Sequence, residues 1–239
     1  MEKELTDPII SVRNLKKIYR IGTNRVHALD GVSFDMARGE FLAIVGTSGS
    51  GKSTCLNMLA GLEHPSEGTI TILGQSIEKM DERQLVAFRR MHVGFIFQSY
   101  NLIYSMNALE NVAMPLLFRG VPQKEREARA KHYMELIGIG SQWDHMPSQM
   151  SGGQQQRVGI ARALVIDPDI IFADEPTGNL DSGTTEEVMK LLRRIVREQK
   201  KTLVMVTHDP SIAARADRQI RIVDGRIVET VINPQEEEQ

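Results

Sequence analysis

Cysteine is almost absent from this chain: Cys55 stands alone in 239 residues. That excludes an internal disulfide framework and a cysteine-built zinc ribbon, and it suits a reducing compartment. An excess of charge is missing too, because 29 lysines and arginines against 31 aspartates and glutamates leave a net −2. No global field gathers nucleic acid or an anionic membrane surface, and no nucleic-acid partner is expected. Paired basic residues such as Arg89-Arg90 read as solvated helix surface. Long apolar runs are also lacking. The longest, such as residues 41–45, have strand length, and none nears the roughly 18 residues of a membrane span. The charged start, residues 1–7, has no apolar core of a signal peptide. If the protein works at a membrane, another chain supplies the span. What remains is 41% hydrophobic and 25% charged, an ordinary globular composition. The length fits one α/β domain with a helical insertion.

Dense apolar runs at 41–45, 170–173 and 202–206 have the pattern of strands buried on both faces of a parallel sheet. Between the last two lies a helix in which Val188, Leu191, Leu192, Ile195 and Val196 share one stripe, with Ser182 as its expected cap. Strand, helix and strand in that order imply a right-handed parallel crossover. Residues 9–12, 33–35 and 69–72 are short or alternating, as in an antiparallel layer. At the other end, 220–223 and 226–228 flank Asp224-Gly225, a favoured hairpin turn. The middle third lacks strand signals. There Asn107 and Glu110 have capping-box spacing, Pro122 opens a charged helix over 123–137, and Gly138 stops it. The chain therefore divides into a core of about 1–98 and 161–233 that includes the antiparallel layer, a helical subdomain of about 99–160, and an acidic tail at 234–239.

Directly after the 41–45 strand comes Gly46-Thr47-Ser48-Gly49-Ser50-Gly51-Lys52-Ser53-Thr54, followed by helical residues 55–60. This is the phosphate-binding loop pattern in its proper strand-to-helix setting. Its glycines let backbone N–H groups curl around phosphate oxygens at the positive end of a helix. Lys52 is expected to reach the β- and γ-phosphates, and the Ser53 hydroxyl to ligate Mg²⁺. Cys55, in the first turns of that helix, reads as a buried small residue, with a reactive thiol as the alternative. The second chemical signal is Asp174-Glu175, where the 170–173 strand ends. Carboxyl ends of parallel strands face the ligand crevice. Asp174 is placed to hold Mg²⁺ through water, and Glu175 to act as general base on a water aligned with the γ-phosphate.

After the helical region stands Gln149-Met150-Ser151-Gly152-Gly153-Gln154-Gln155-Gln156-Arg157. With the phosphate loop before it and the Asp-Glu strand after it, the chain resembles the ABC (ATP-binding cassette) ATPase family over nearly its whole length, with Met150 where the family commonly has Leu. Ser151 can cap the helix that follows, and Gly152 and Gly153 bare their N–H groups, making a second anion-binding helix end. The resemblance implies that Ser151, Gly152, Gly153 and Gln154 grip the γ-phosphate held by a partner copy, so that two chains form a head-to-tail homodimer around two MgATP. It further implies that Tyr19 stacks on adenine, a buried or surface tyrosine being the plainer alternative. Gln98 would touch Mg²⁺ and the attacking water, Asp181 would lie in a loop crossing the dimer interface, and His208 would contact the γ-phosphate. The fold implied is α/β, a P-loop NTPase core with a mostly parallel sheet, an N-terminal antiparallel layer and an inserted helical subdomain.

Residues 98–102, 110–116 and 173–181 resemble more narrowly the lipoprotein-releasing, macrolide- or peptide-exporting and cell-division ATPases of bacteria. That resemblance implies a cytoplasmic subunit, peripheral on the inner face of the membrane. An integral permease would dock near residues 98–104, and an extracytoplasmic accessory protein would be reached through it. A rival reading is an ABC ATPase of DNA repair, chromosome organisation or translation. Against it, Thr54 and Ser151 are under a hundred residues apart, too close for a long coiled-coil insertion, and one chain carries one cassette. A regulatory or sensory ATPase module remains the third reading.

Overall fold

The period-2 alternation of a strand sends successive side chains to opposite faces, and here the central strands have a hydrophobic core on each side. The computed structural model describes residues 7–234, so the start at 1–6 and the acidic end at 235–239 lie outside the described residues. A hairpin of β1 (Ile10–Ile21) and β2 (Asn24–Met36) leads into β3 (Phe41–Val45) and the helix α1 (Lys52–Leu59). Strands β4 (Glu67–Ile72) and β5 (Gln75–Ser76) return to that hairpin, completing an antiparallel sheet of order β2-β1-β4-β5. Helix α2 (Glu82–His92) and β6 (Val93–Ile96) precede three helices, α3 (Ala108–Phe118), α4 (Gln123–Leu136) and α5 (Gly152–Leu164), which pack on one another. The chain closes with β7 (Ile170–Asp174), α6 (Ser182–Glu198), β8 (Thr202–Thr207), the short α7 (Pro210–Ala213) and the hairpin β9 (Arg218–Val223) and β10 (Arg226–Ile232). The second sheet has the order β10-β9-β3-β8-β7-β6 and is parallel except for β10.

Leu42, Ile44, Ile170, Phe172, Val204 and Val206 face α1 and the antiparallel sheet. Their neighbours Phe41, Ala43, Ile171, Ala173, Leu203 and Met205 face the core formed with α3, α5 and α6. This double burial explains the unbroken apolar runs. Each fully buried large side chain contributes about 1.5–3 kcal/mol, which holds the strand ends in a stiff frame. The stripe on α6 is buried as its spacing requires, and the Asn107–Glu110 capping box is complete. Gly138 follows α4 in the left-handed region, and Asp224 and Gly225 are both left-handed in the β9–β10 turn.

Three expectations need correction. Asp181, not Ser182, caps α6, accepting from the Thr184 amide at 3.0 Å; its carboxylate is the better acceptor for an N-cap. The Arg89 half of the basic pair is not simply solvated, because its guanidinium reaches the Gly61 carbonyl at the end of the α1 turn. The N-terminal strands are far longer than their apolar cores. β1 runs on through Lys16, Lys17 and Arg20, where polar side chains of an outward-facing ribbon mask the strand.

Cys55 is wholly buried, and burial pushes its thiol up to about 12. Only about one thiol in ten thousand is then ionised at pH 8. Native protein should resist a disulfide reagent and release one thiol equivalent only in denaturant. Rapid labelling of the native chain would contradict this packing.

Candidate active site

The loop between β3 and α1 is built for close backbone approach. Gly51 has φ +103°, and a Cβ there would run into the Ala28 carbonyl, so only glycine fits. Helix α1 starts at Lys52 with no side-chain cap, leaving first-turn N–H groups open to an anion. The loop is braced from behind, since the Gly225 amide of the β9–β10 turn donates to the Ser50 carbonyl at 3.0 Å. Lys52 is buried and folds back, its Nζ donating to the Thr47 carbonyl at 2.9 Å.

Asp174 ends β7 with Oδ1 3.4 Å from the Ser53 hydroxyl. Burial raises its pKa above the ordinary carboxylate value, and the neighbouring Glu175 charge adds to this; the Ser53 bond and the Lys52 charge oppose it. Glu175 itself sits in the left-handed region at φ 44°, an uncommon conformation for a side chain of this length. Its amide is held by the Val206 carbonyl at 3.0 Å, and its Oε2 lies 2.6 Å from His208 Nδ1. Thr47, Ser48, Gln98, Glu175 and His208 line one open cleft of about 490 Å³. Gln98 lies over Gly178, where an added Cβ would come within 2.7 Å of its amide nitrogen. The Asn179 side chain donates to the Gln98 carbonyl at 3.0 Å. Tyr19 is half-buried; its hydroxyl donates to Glu63 at 2.8 Å, and Thr54 is a further hydrogen-bond partner.

The residues at the start of α5 do not join this cleft. Ser151 caps its own helix, accepting from the Gln154 amide at 3.3 Å, while its amide donates back to Gln154 Oε1 at 2.9 Å. Asp181 is likewise engaged on its own helix, and the Thr184 amide and hydroxyl keep its carboxyl below the usual range.

A hydroxyl and a carboxylate are hard oxygen donors that fit Mg²⁺. Among the described residues no group of three or more His, Cys, Asp or Glu could hold a metal unaided. Ser53 and Asp174 therefore suit an ion that arrives with phosphate oxygens and water. Sequence reasoning missed Asn111, which is fully buried and binds the backbone of Ile103, Met106 and Asn107. It also left Gln156, Gly178 and Arg162 without roles. The signal for Arg162 was available: a lone arginine inside the apolar run 158–166.

The family model described as ABC transporter matches residues 29–178. The lipoprotein-releasing system ATP-binding protein LolD of Chromohalobacter salexigens is 44% identical over 92% of this chain and 93% of its own. The macrolide export ATP-binding/permease protein MacB of Hyphomonas neptunium is 46% identical over 97% of this chain, but over only 36% of its own length. A dimeric, post-hydrolysis structure of the ATP-binding cassette MJ0796 bound to ADP and phosphate superimposes with TM-score 0.87 at 40% identity, covering 95% of this chain and all of that one.

Because burial and Glu175 disfavour the ionised Asp174, the charge lowers stability at any pH above its folded pKa, and the penalty vanishes below the unfolded value. Asp174→Asn should raise the Tm of the nucleotide-free protein at pH 7. The gain should shrink as pH falls toward 4. A Tm lowered at pH 7 would contradict the assigned electrostatics.

Proposed function

The chain belongs to the ABC transporter family and is an ATP hydrolase; on that premise we propose that it is the cytoplasmic engine of a bacterial export, lipoprotein-release or mechanotransmission system, working as a head-to-tail homodimer on a separate membrane permease. The observation that carries this is the division of the site. One chain gathers Thr47 and Ser48 of the phosphate loop, Gln98, Glu175 and His208 around one cleft, with Asp174 beside Ser53 of the same loop, while its own Ser151 end does not line that cleft. A second copy, supplying Ser151, Gly152, Gly153 and Gln154, would close the cleft over ATP. Asp181 would lie at the same interface.

In this reading the N–H groups of the 46–54 loop and α1 hold the phosphates. Lys52 exchanges its bond to the Thr47 carbonyl for the β- and γ-phosphate oxygens. Ser53, Asp174 and Gln98 would hold a Mg²⁺ that arrives with ATP, and the ion would supply charge neutralisation in the transfer. Glu175 accepts the proton of the attacking water, held in place by the backbone bond to Val206 and by His208. His208 is 62% exposed, so its ring is free to turn from Glu175 to a γ-phosphate oxygen. Tyr19, set by Glu63 beside Thr54, would stack on adenine.

Among the described residues no helix is long and apolar enough to cross a membrane. The likeness to a lipoprotein-releasing ATP-binding protein along 93% of that protein's length supports a permease on another chain. Tyr104, 66% exposed, offers a docking contact at the edge of the 98–104 loop, which would hold the subunit on the inner face of the membrane. Cargo choice, and any extracytoplasmic accessory protein, would then belong to the permease.

Glu175→Gln should bind ATP normally, lose at least about 100-fold in hydrolysis, and accumulate as an ATP-dependent dimer in sedimentation. Turnover near the parent rate would reject the base assignment. Ser151→Arg should leave nucleotide binding by the monomer intact and abolish hydrolysis. Full activity in that variant would reject the shared site.

A further inference from the structure

Helix α5 carries two buried polar side chains that the proposed chemistry does not use. Gln156 is fully buried, and its Nε2 donates at 2.5 Å to the carbonyl of Pro176, the residue after Glu175. Further along, Arg162 is 7% exposed and donates from its two terminal nitrogens to the carbonyls of Asn101 and Tyr100, each at 2.6 Å. Its guanidinium also lies 6.0 Å from the centre of the Phe97 ring, and burial disfavours its charge.

Taking a guanidinium out of water is costly, and an apolar side chain would fill such a space at less expense. The geometry says what the charge is for. Tyr100 and Asn101 are consecutive non-glycine residues in the left-handed region, at φ 60° and 48°, a conformation that asparagine tolerates but that is uncommon for tyrosine. That conformation accompanies two successive carbonyls meeting one planar fork, a geometry that a point-charge lysine cannot match. The clamped pair lies two and three residues after Gln98, whose carbonyl is held by Asn179. Both loops that border the cleft, one after Gln98 and one after Glu175, are therefore fastened to the helix whose first turn is Ser151-Gly152-Gly153.

We propose that Arg162 is a positioning residue that locks the Gln98 loop onto α5, so that the Ser151 end of the helix and Gln98 move as one body. This rests on the reading of Ser151 and Gln98 given under Proposed function. ATP closure sensed by one copy at Ser151 would be carried to its own Gln98, and to whatever docks beside Tyr104, without melting the loop between them.

The test compares the full-length parent with Arg162→Met and Arg162→Lys, each checked for folding by circular dichroism. Steady-state hydrolysis, monomer affinity for ATP and hydrogen exchange of residues 98–104 are measured. Arg162→Met should lose at least about tenfold in kcat and keep ATP affinity within about twofold. It should also exchange the 98–104 amides faster, with or without ATP. Arg162→Lys should fall between it and the parent. Parental kcat, or unchanged protection of 98–104, overturns the proposal. If Arg162→Met does not fold, Arg162→Lys decides on the same readouts. Failure of both to fold also overturns it, since Arg162 would then be a determinant of folding. Gln98→Ala serves as control: parental hydrolysis there would reject the reading of Gln98, while exchange in the Arg162 variants still judges the clamp.

Discussion

The first N–H groups of an α-helix have no carbonyl to meet, and the aligned peptide dipoles make that end positive. Two of the helices bear on the chemistry at such ends, and they are finished differently. Helix α1 has no side-chain cap and is preceded by the glycine-rich loop. Helix α5 is capped by Ser151, but through a bond of 3.3 Å, long for N–H···O and easily exchanged for a stronger acceptor. A phosphate chain could engage both ends only if they faced each other, and within one chain the α5 end does not line the α1 cleft. The proposed dimer around nucleotide would bridge that separation.

The remaining architecture keeps these ends rigid. Strands β3, β7 and β8, buried on both faces, bring Gly46, Asp174 and His208 to one edge of the sheet. The acids pressed together there are unfavourable neighbours: Asp174 is desolvated beside Glu175, and Glu175 has a left-handed backbone. A divalent cation with its phosphates would relieve the first of these. The lateral ties from α5 to the Gln98 and Glu175 loops make the helical region a lever attached to the chemistry rather than an appendage.

What was legible in the sequence follows from burial. The phosphate loop, the Asp174-Glu175 strand end and the Ser151 helix start each pair a glycine or acid with a definite element boundary, and they lie where expected. The β1–β2 ribbon was only half visible, because Lys16, Lys17 and Arg20 continue a strand whose outer part has no apolar face to display. β6 is four residues long and contains Gly94, too little for a periodic signal. The cap of α6 was placed one residue late because serine and aspartate both serve, and only geometry chooses Asp181. Arg162 stands out as a lone arginine in an apolar run, but its partners, like that of Gln156, are backbone carbonyls far away in sequence, which residue identity does not reveal.

The central claim is that each working site takes its phosphate loop from one copy and its Ser151 end from another. Mixing two inactive chains tests it directly: Lys52→Ala, with a damaged loop and an intact α5 end, and Ser151→Arg, with the reverse. The account predicts that hydrolysis reappears on mixing and rises to a maximum near equal amounts, since a mixed dimer contains one undamaged site. If the mixture stays as inactive as its components while mixed dimers are shown to form, the shared site is contradicted.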